Sequence, residues 1–290
     1  GLLMVCEGDN GEGRYQTNVI NRLFEDKNVA FTDDLESLDV IGFYDVYVDP
    51  TFSGTSTGTN LAPYTTMEAA VNASNSGDKI FVKGIVNVSA EIELTHSLHF
   101  YGIDGTEIRY VSYNASNANI FKFAGSDNTQ EFTFKNIKFS NAGEYGMKIV
   151  GAASINITDC IFTNNGWSGN GLNTILSESV SGIEGYDSDQ ADLQAFYAGA
   201  NASNGGAMRI ENITTVRIIG NTVTKNLRGI RIADCGINGA GFITRNVATQ
   251  NIESGIYLSV GALGGCQNIT TTMNVSSYNA NNGLLVIGGI

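Results

Sequence analysis

Proline is nearly missing from this chain, at two in 290 residues, whereas glycine occurs 35 times. Proline removes a backbone donor and interrupts central strands, so its scarcity leaves room for long runs of paired strand, and the glycines suit the corners between them. Charge is scarce too: Asp, Glu, Lys and Arg make up 16% of the residues, against about a quarter in an average soluble domain. What charge there is runs acidic, with 16 basic against 29 acidic residues and a formal net charge of -13. Phosphate backbones are held by concentrated Lys and Arg, so no nucleic-acid partner is expected. The four cysteines, Cys6, Cys160, Cys235 and Cys266, are scattered with no C-x-x-C pair, which indicates neither a zinc site nor a dense disulfide framework. No stretch approaches the roughly 20 apolar residues of a membrane span, so no membrane insertion is expected. The opening Gly1 to Cys6 lacks the basic start of a signal peptide, and the chain does not begin on an initiator methionine, which points to a processed or partial chain.

What the chain does have is a repeated phrase. Two apolar residues flank an outward one after a small residue in Gly146-Met147-Lys148-Ile149, Ala207-Met208-Arg209-Ile210, Gly229-Ile230-Arg231-Ile232, Gly255-Ile256-Tyr257-Leu258 and Gly283-Leu284-Leu285-Val286. From Gly229 to Gly255 is 26 residues and from Gly255 to Gly283 is 28, too long for a hairpin and right for one turn of a solenoid. A second phrase keeps step: Asn221 to Asn226, Asn246 to Asn251 and Asn274 to Asn279 each begin and end on asparagine and each precede the apolar phrase. Alternation of period two inside both phrases means strands with one buried face, and no helical pattern is long enough to cross over between them. The spacing predicts an all-β fold, a parallel β-helix wound as a single chain.

The physical reason for such winding is that one coil cannot bury its own apolar face. Stacking coils about 4.8 Å apart closes both the backbone hydrogen bonds and the interior. Asn221, Asn246 and Asn274, and again Asn226, Asn251 and Asn279, are then expected to form amide ladders along the stack and to fit the tight corners. Cys160 falls where Asn221 stands in the register and is expected to be a stacked or buried thiol.

Three parts follow along the chain. Residues 1–44 carry no repeat and are expected to form a neck, with Val19, Ile20, Leu23 and Phe24 on one face of a short helix. The β-helix is expected over 45–290. An entering strand at Asp45 to Asp49 precedes a short helix over Pro63 to Asn72, which sets Met67, Ala70 and Val71 on its apolar side and caps the first coil. Strands are expected at Lys79 to Lys83, Ile92 to Leu94, Leu98 to Tyr101, Ile120 to Phe123 and Phe132 to Phe139. Between Asn165 and Gly205 the register pauses for about 40 residues, which predicts a lateral insertion over about 166–204. The last apolar phrase ends just before Ile290, where a bare solenoid edge leads one to expect that coils continue beyond it.

Val46-Tyr47-Val48-Asp49, then Pro63 to Val71 and Gly77 to Lys83, resemble the opening segment of pectate-lyase-like right-handed β-helix proteins, and the later Asn and Gly coils resemble their repeats. More narrowly, the combination is similar to tailspikes and tail fibres of tailed bacteriophages, particularly marine cyanophages. The resemblance implies a right-handed helix, a place on the virion surface outside the cell, homotrimers among other virion proteins, and host-surface polysaccharide as partner. It implies no cofactor. The same solenoid serves lyases, hydrolases, adhesins and inert spikes, so it speaks for fold more than for function.

Several motifs compete for a role. Gly54-Thr55-Ser56-Thr57-Gly58 spells a nucleophile elbow, but that needs a strand before it, a helix after it and a histidine nearby; a low-complexity loop is expected instead. His96 and His99, the two histidines, want a third ligand to hold a metal and are expected to be surface residues. The acidic run Glu7 to Gly13 departs from known calcium loops. Eight Asn-x-Ser/Thr sequons, such as Asn114-Ala115-Ser116, follow from a composition rich in those residues. The strongest signal is a column: if Met147, Ile149 and their equivalents point inward, Lys148, Arg209, Arg231 and Tyr257 lie outward above one another. Like charges about 5 Å apart repel by roughly 0.8 kcal/mol in water, so counter-ions are needed, and Glu211 and Asp234 stand close in sequence. One reading of this face is a salt-bridged ladder. The other is a groove for an acidic glycan, with Arg contacting carboxylates and Tyr257 stacking on sugar rings. The insertion adds Trp167, Tyr186, Phe196 and Tyr197 to the candidate surface.

Two functions remain open: a structural and adhesive shaft, or a polysaccharide depolymerase on the same shaft. A glycosidase requires two carboxylates at set separation, and a lyase a base beside a neutralising cation. Glu211, Asp234, Arg209 and Arg231 are candidates, but no pair is picked out by spacing. The adhesive reading is favoured, with no catalytic residue assigned.

Overall fold

The computed structural model describes residues 44–111, 118–126, 128–166, 205–259, 265–279 and 282–287. The neck, most of the insertion with Trp167, Tyr186, Phe196 and Tyr197, and Cys6 lie outside the described residues. Among these residues a first strand, Val46–Val48, and a helix, Met67–Ala73, are followed by seven coils of three strands each. Among the described residues every pairing between named strands is parallel, in one eight-stranded and two seven-stranded sheets. The first sheet holds Val46–Val48 and then Lys79–Val82, Leu98–Gly102, Glu131–Lys135, Ser154–Thr158, Thr215–Ile219, Gly241–Thr244 and Ile269–Thr272. The second, of short strands, runs from Ile85–Val88 to Val275–Ser277 and contains the middle of each asparagine phrase. The third runs from Ile92–Glu93 to Leu284–Val286 and contains the apolar phrases.

The expected helix is shorter than its pattern. It begins after Thr66, whose hydroxyl accepts from the Ala69 N–H at 3.2 Å, and ends before Ser74. Pro63 and Tyr64 instead extend alongside the first strand, where Tyr64 N–H donates to the Tyr47 carbonyl. Met67, Ala70 and Val71 are buried against Val46 and Val48, the apolar side expected of them. The stretch Phe132 to Phe139 is two strands, Glu131–Lys135 and Lys138–Ser140, separated by a corner at Asn136, where φ is +56°.

Inside the third sheet Met147, Met208, Ile230, Ile256 and Leu284 share one register position, and Ile149, Ile210, Ile232, Leu258 and Val286 another. The first four of each column are buried, but Leu284 and Val286 remain 51% and 39% exposed. They keep the register, yet among the described residues no further coil covers them. The core changes character along its axis. Phe100 stacks on Phe134 at 5.0 Å and Phe139 on Phe162 at 4.9 Å in the early coils, whereas Val223, Ala248 and Ser276 follow Phe162 in the second sheet.

Both asparagine ladders form. Asn221 Nδ2 donates to Asn246 Oδ1 at 2.9 Å and Asn246 Nδ2 to Asn274 Oδ1 at 3.0 Å. The other ladder runs from Asn165 through Asn226 and Asn251 to Asn279 with steps of 2.9–3.1 Å. Each amide also donates to a carbonyl of the coil behind it, as Asn226 does to Phe162 and Asn246 to Ile218. Cys160 occupies the ladder position one coil before Asn221, buried, with its N–H on Asn221 Oδ1 and its thiol on the Phe134 carbonyl. Burial pushes that thiol's pKa up to about 12. The corner geometry differs from expectation: the left-handed φ belongs not to the ladder asparagine but to the residue before it. Asp159, Arg245 and Met273 precede one ladder and Asn164, Lys225, Gln250 and Tyr278 the other, all with φ between +53° and +58°. A non-glycine residue there costs roughly 1 kcal/mol, and the buried amide bonds of the next residue offset it.

Replacing Asn226 by Ala strips Asn165 of the acceptor for both its backbone and side-chain N–H, and leaves the Phe162 carbonyl without its amide donor. Orphaned buried groups cost about 1–3 kcal/mol each, so the expected loss is about 3 kcal/mol in urea unfolding. Asn279→Ala, whose position in the last coil is more open, is expected to lose less.

Candidate outer-face site

The outward column exists and is longer than the sequence suggests. Glu93, Lys122, Lys148, Arg209, Arg231, Tyr257 and Leu285 follow one another in register along the third sheet. The charges at its beginning are neutralised from nearby. Lys122 pairs with Glu91 at 2.9 Å and Lys148 with Glu144 at 2.9 Å. The buried Asn119 carboxamide joins the two acids, donating to Glu91 at 2.6 Å and to Glu144 at 3.0 Å. Burial disfavours the Glu91 charge, but the Asn119 and Lys122 hydrogen bonds outweigh it and hold its pKa below the usual value. Arg209 is paired with Glu211, Nε to Oε2 at 2.9 Å, as the spacing suggested.

Asp234 does not complete the ladder. It is 2% exposed, sits past the strand end with φ +49°, and its Oδ1 accepts the Gly265 N–H at 2.7 Å in the next coil's corner. The expectation that it balances this column is corrected: the strand ends at Ala233, and the left-handed turn carries the carboxylate into the corner.

Arg231 is therefore set apart. Its guanidinium lies over the Tyr257 ring, 5.9 Å from the centroid, within cation–π range. It has no carboxylate partner among the described residues, and its Nε is shielded from solvent with no acceptor. Beside it Arg228 is held by Glu253, Nη2 to Oε1 at 2.9 Å with Nε closing a second bond. Burial works against the Arg228 charge, and the Glu253 bonds more than offset that, so its pKa is raised. Arg228, Arg231, Glu253, Ser254, Tyr257 and Leu285 line a cavity of about 260 Å³. Glu253 and Arg228 are residues the sequence reading missed, although they stand 25 residues apart, one repeat, and that spacing was available.

Gly166 and Gly205, the described residues that flank the insertion, lie together. A Cβ on Gly205 would lie 2.6 Å from the Gly166 Cα, so the two ends of the excursion touch. The Ala207 N–H donates to the Arg228 carbonyl at 2.7 Å, which puts the returning end one coil from Arg228. Gly166 itself has φ +93° and meets Leu227.

The other candidates are elsewhere. His99 faces outward on the first sheet between Lys79 and Thr133, and burial lowers its pKa. His96 shares a hydrogen bond with Thr95 at 3.0 Å. Both are half-buried rather than open surface residues. Ser56 belongs to a loop closed by Thr57 and Gly58 N–H bonds to the Ala62 carbonyl, not to a strand-to-helix elbow. Among the described residues no group of His, Cys, Asp or Glu is arranged to hold a metal, and no helix is long and apolar enough to cross a membrane.

Parallel sheets in register, coil on coil, define a β-helical solenoid with one distinctive outer face. The family model described as the right handed beta helix region matches residues 96–289, and the chain belongs to that family. No curated protein and no solved structure matches it.

Proposed function

We propose that this chain is a structural and adhesive β-helix, the rigid shaft of a phage tailspike or tail fibre, which meets a host-surface glycan through the outer face of its third sheet. The observation that carries the reading is the column of cations in which Lys122, Lys148 and Arg209 are neutralised and Arg231 is left open beside an aromatic ring and a cavity. Seven coils at about 4.8 Å each give a stiff rod of roughly 30 Å, suited to holding such a face away from a particle. The combination of the opening segment, Val46 to Lys83, with the later Asn and Gly coils adds its resemblance to tailspikes and tail fibres. A homotrimer on the virion surface, among other virion proteins, belongs to the same reading.

Catalysis is less well supported. Glu211 is tied to Arg209 and Asp234 is buried in a corner, so the two acids considered for a depolymerase do not face a common space. Among the described residues the cavity has one carboxylate, Glu253, held by Arg228. A glycosidase of the usual kind needs two. Incubated with purified acidic polysaccharide from a host surface, the protein is expected to co-sediment with the polymer and to leave its chain length unchanged. Release of oligosaccharides would replace this reading by the depolymerase, and failure to bind cells or polymer would remove adhesion altogether.

A further inference from the structure

Deepening that reading and resting on it, we infer that the cavity beside Arg231 is a subsite for a single carboxylate-bearing sugar residue, with Arg231 as partner of the carboxylate and Tyr257 as the platform for the ring. Three features select this ligand.

The first is charge. Among the described residues Arg228 and Arg231 bring two positive charges and Glu253 one negative to the cavity wall, which leaves one positive charge. That matches a monoanion, whereas a phosphate dianion would meet Glu253 with charge to spare. On a chain of net charge -13, an acidic polymer is repelled over most of the surface, so a local unbalanced cation decides where it can land.

The second is the state of the guanidinium. Arg209 and Arg228 are each locked to a carboxylate through two nitrogens. Among the described residues Arg231 has no carboxylate partner but lies over the Tyr257 face, and its Nε–H is buried without an acceptor among them. A buried donor left unpaired is unfavourable. An incoming carboxylate that draws the guanidinium round satisfies Nε–H and Nη–H together, in the fork geometry that favours a planar carboxylate.

The third is shape. About 260 Å³ is below the usual range for drug-sized ligands and suits one sugar ring rather than several. The wall combines the Tyr257 ring, the Ser254 hydroxyl and the apolar Leu285, an apolar face with polar groups beside it, as a pyranose presents in reverse. A side chain at Gly229 would intrude on this wall's backbone, since its Cβ would fall 2.0 Å from the Gly255 carbonyl. The backbone is therefore kept bare between the two arginines.

The test uses the intact protein and calorimetric titration with oligosaccharides of galacturonic, glucuronic and mannuronic acid, each paired with its carboxyl-reduced neutral form. The parent is expected to bind at least one acid form about tenfold or more tightly than its reduced form, consistent with a charge-assisted pair. Arg231→Gln is expected to erase that preference while leaving the melting curve in place, and Arg231→Lys to retain part of it. Tyr257→Ala is expected to weaken acid and neutral forms alike. The subsite is overturned if Arg231→Gln binds like the parent, or if the parent does not distinguish acid from reduced forms or binds none of them. Adhesion of the parent to host cells is measured alongside. Adhesion that persists without uronate binding sinks the subsite and leaves the shaft, whereas loss of both sinks the underlying reading.

Discussion

Replacing Ile230 by Asp lowers the melting midpoint by roughly 10–20 °C, while Arg231→Ala, one residue on, moves it by about 2 °C or less. Ile230 is fully buried between Met208 and Ile256 in the middle of the third sheet. Truncating such a side chain costs about 2–5 kcal/mol by itself, and an unpaired carboxylate in its place adds a desolvation penalty, so about 5 kcal/mol is a modest total. Each kcal/mol moves the midpoint of a unit this size by roughly 2–4 °C. Because every coil leans only on its neighbours, the damage is expected to spread outward from that coil, seen as lost amide-exchange protection at Met208 and Ile256 first. Equal effects of the two substitutions would mean that Arg231 and Ile230 do not face opposite sides, and the register would fall with them.

That register was legible because two phrases advance at one period. A single apolar phrase fixes parity, and the asparagines fix which coil stacks on which, so the ladders Asn221–Asn246–Asn274 and Asn226–Asn251–Asn279 needed no coordinates. The first sheet was much less visible in the later coils. Ser154–Thr158, Thr215–Ile219, Gly241–Thr244 and Ile269–Thr272 pair residue for residue but share no spelling, since Ile157, Ile218, Ile243 and Thr271 need only fit a common interior of changing width. Corners were misread for a related reason. Backbone strain is a property of φ, and residue type alone did not reveal that Arg245, Met273 or Gln250 would take the left-handed position while the next asparagine did the bonding.

The outer face divided along the same line. The column Lys148, Arg209, Arg231 and Tyr257 follows from parity, and Glu211 from its place two residues beyond Arg209. Asp234 looked equivalent to a counter-ion because sequence proximity carries no information about where a strand ends. Glu91 and Glu144 were overlooked because each stands outside the strand whose cation it serves, and Glu253 because neither it nor Arg228 lies in a strand. Only folding the repeat back on itself brings Glu253 to Arg228.

Deleting residues 168–202 is expected to leave the solenoid folded and to reduce adsorption to host cells, or subunit assembly, by tenfold or more. The folding half rests on Gly166 and Gly205, which already touch, so Trp167, Ser203 and Asn204 suffice to bridge them. Shortening a loop lowers its closure cost by about 0.6 kcal/mol per halving, and the ladder from Asn165 to Asn226 and the Ala207 bond to Arg228 lie outside the deleted stretch. The melting midpoint should therefore stay within a few degrees of the parent. The binding half rests on composition and place. The deleted stretch holds Tyr186, Phe196 and Tyr197, residue types that give large contact area at modest entropic cost, and Gly206, just after the insertion, packs against Arg228. If uronate oligosaccharides still bind while cell adsorption is lost, the insertion supplies a second contact next to the Arg231 subsite. If the variant adsorbs and assembles like the parent, the contact surface is the sheet face alone, and the aromatic side chains of the insertion have no part in it.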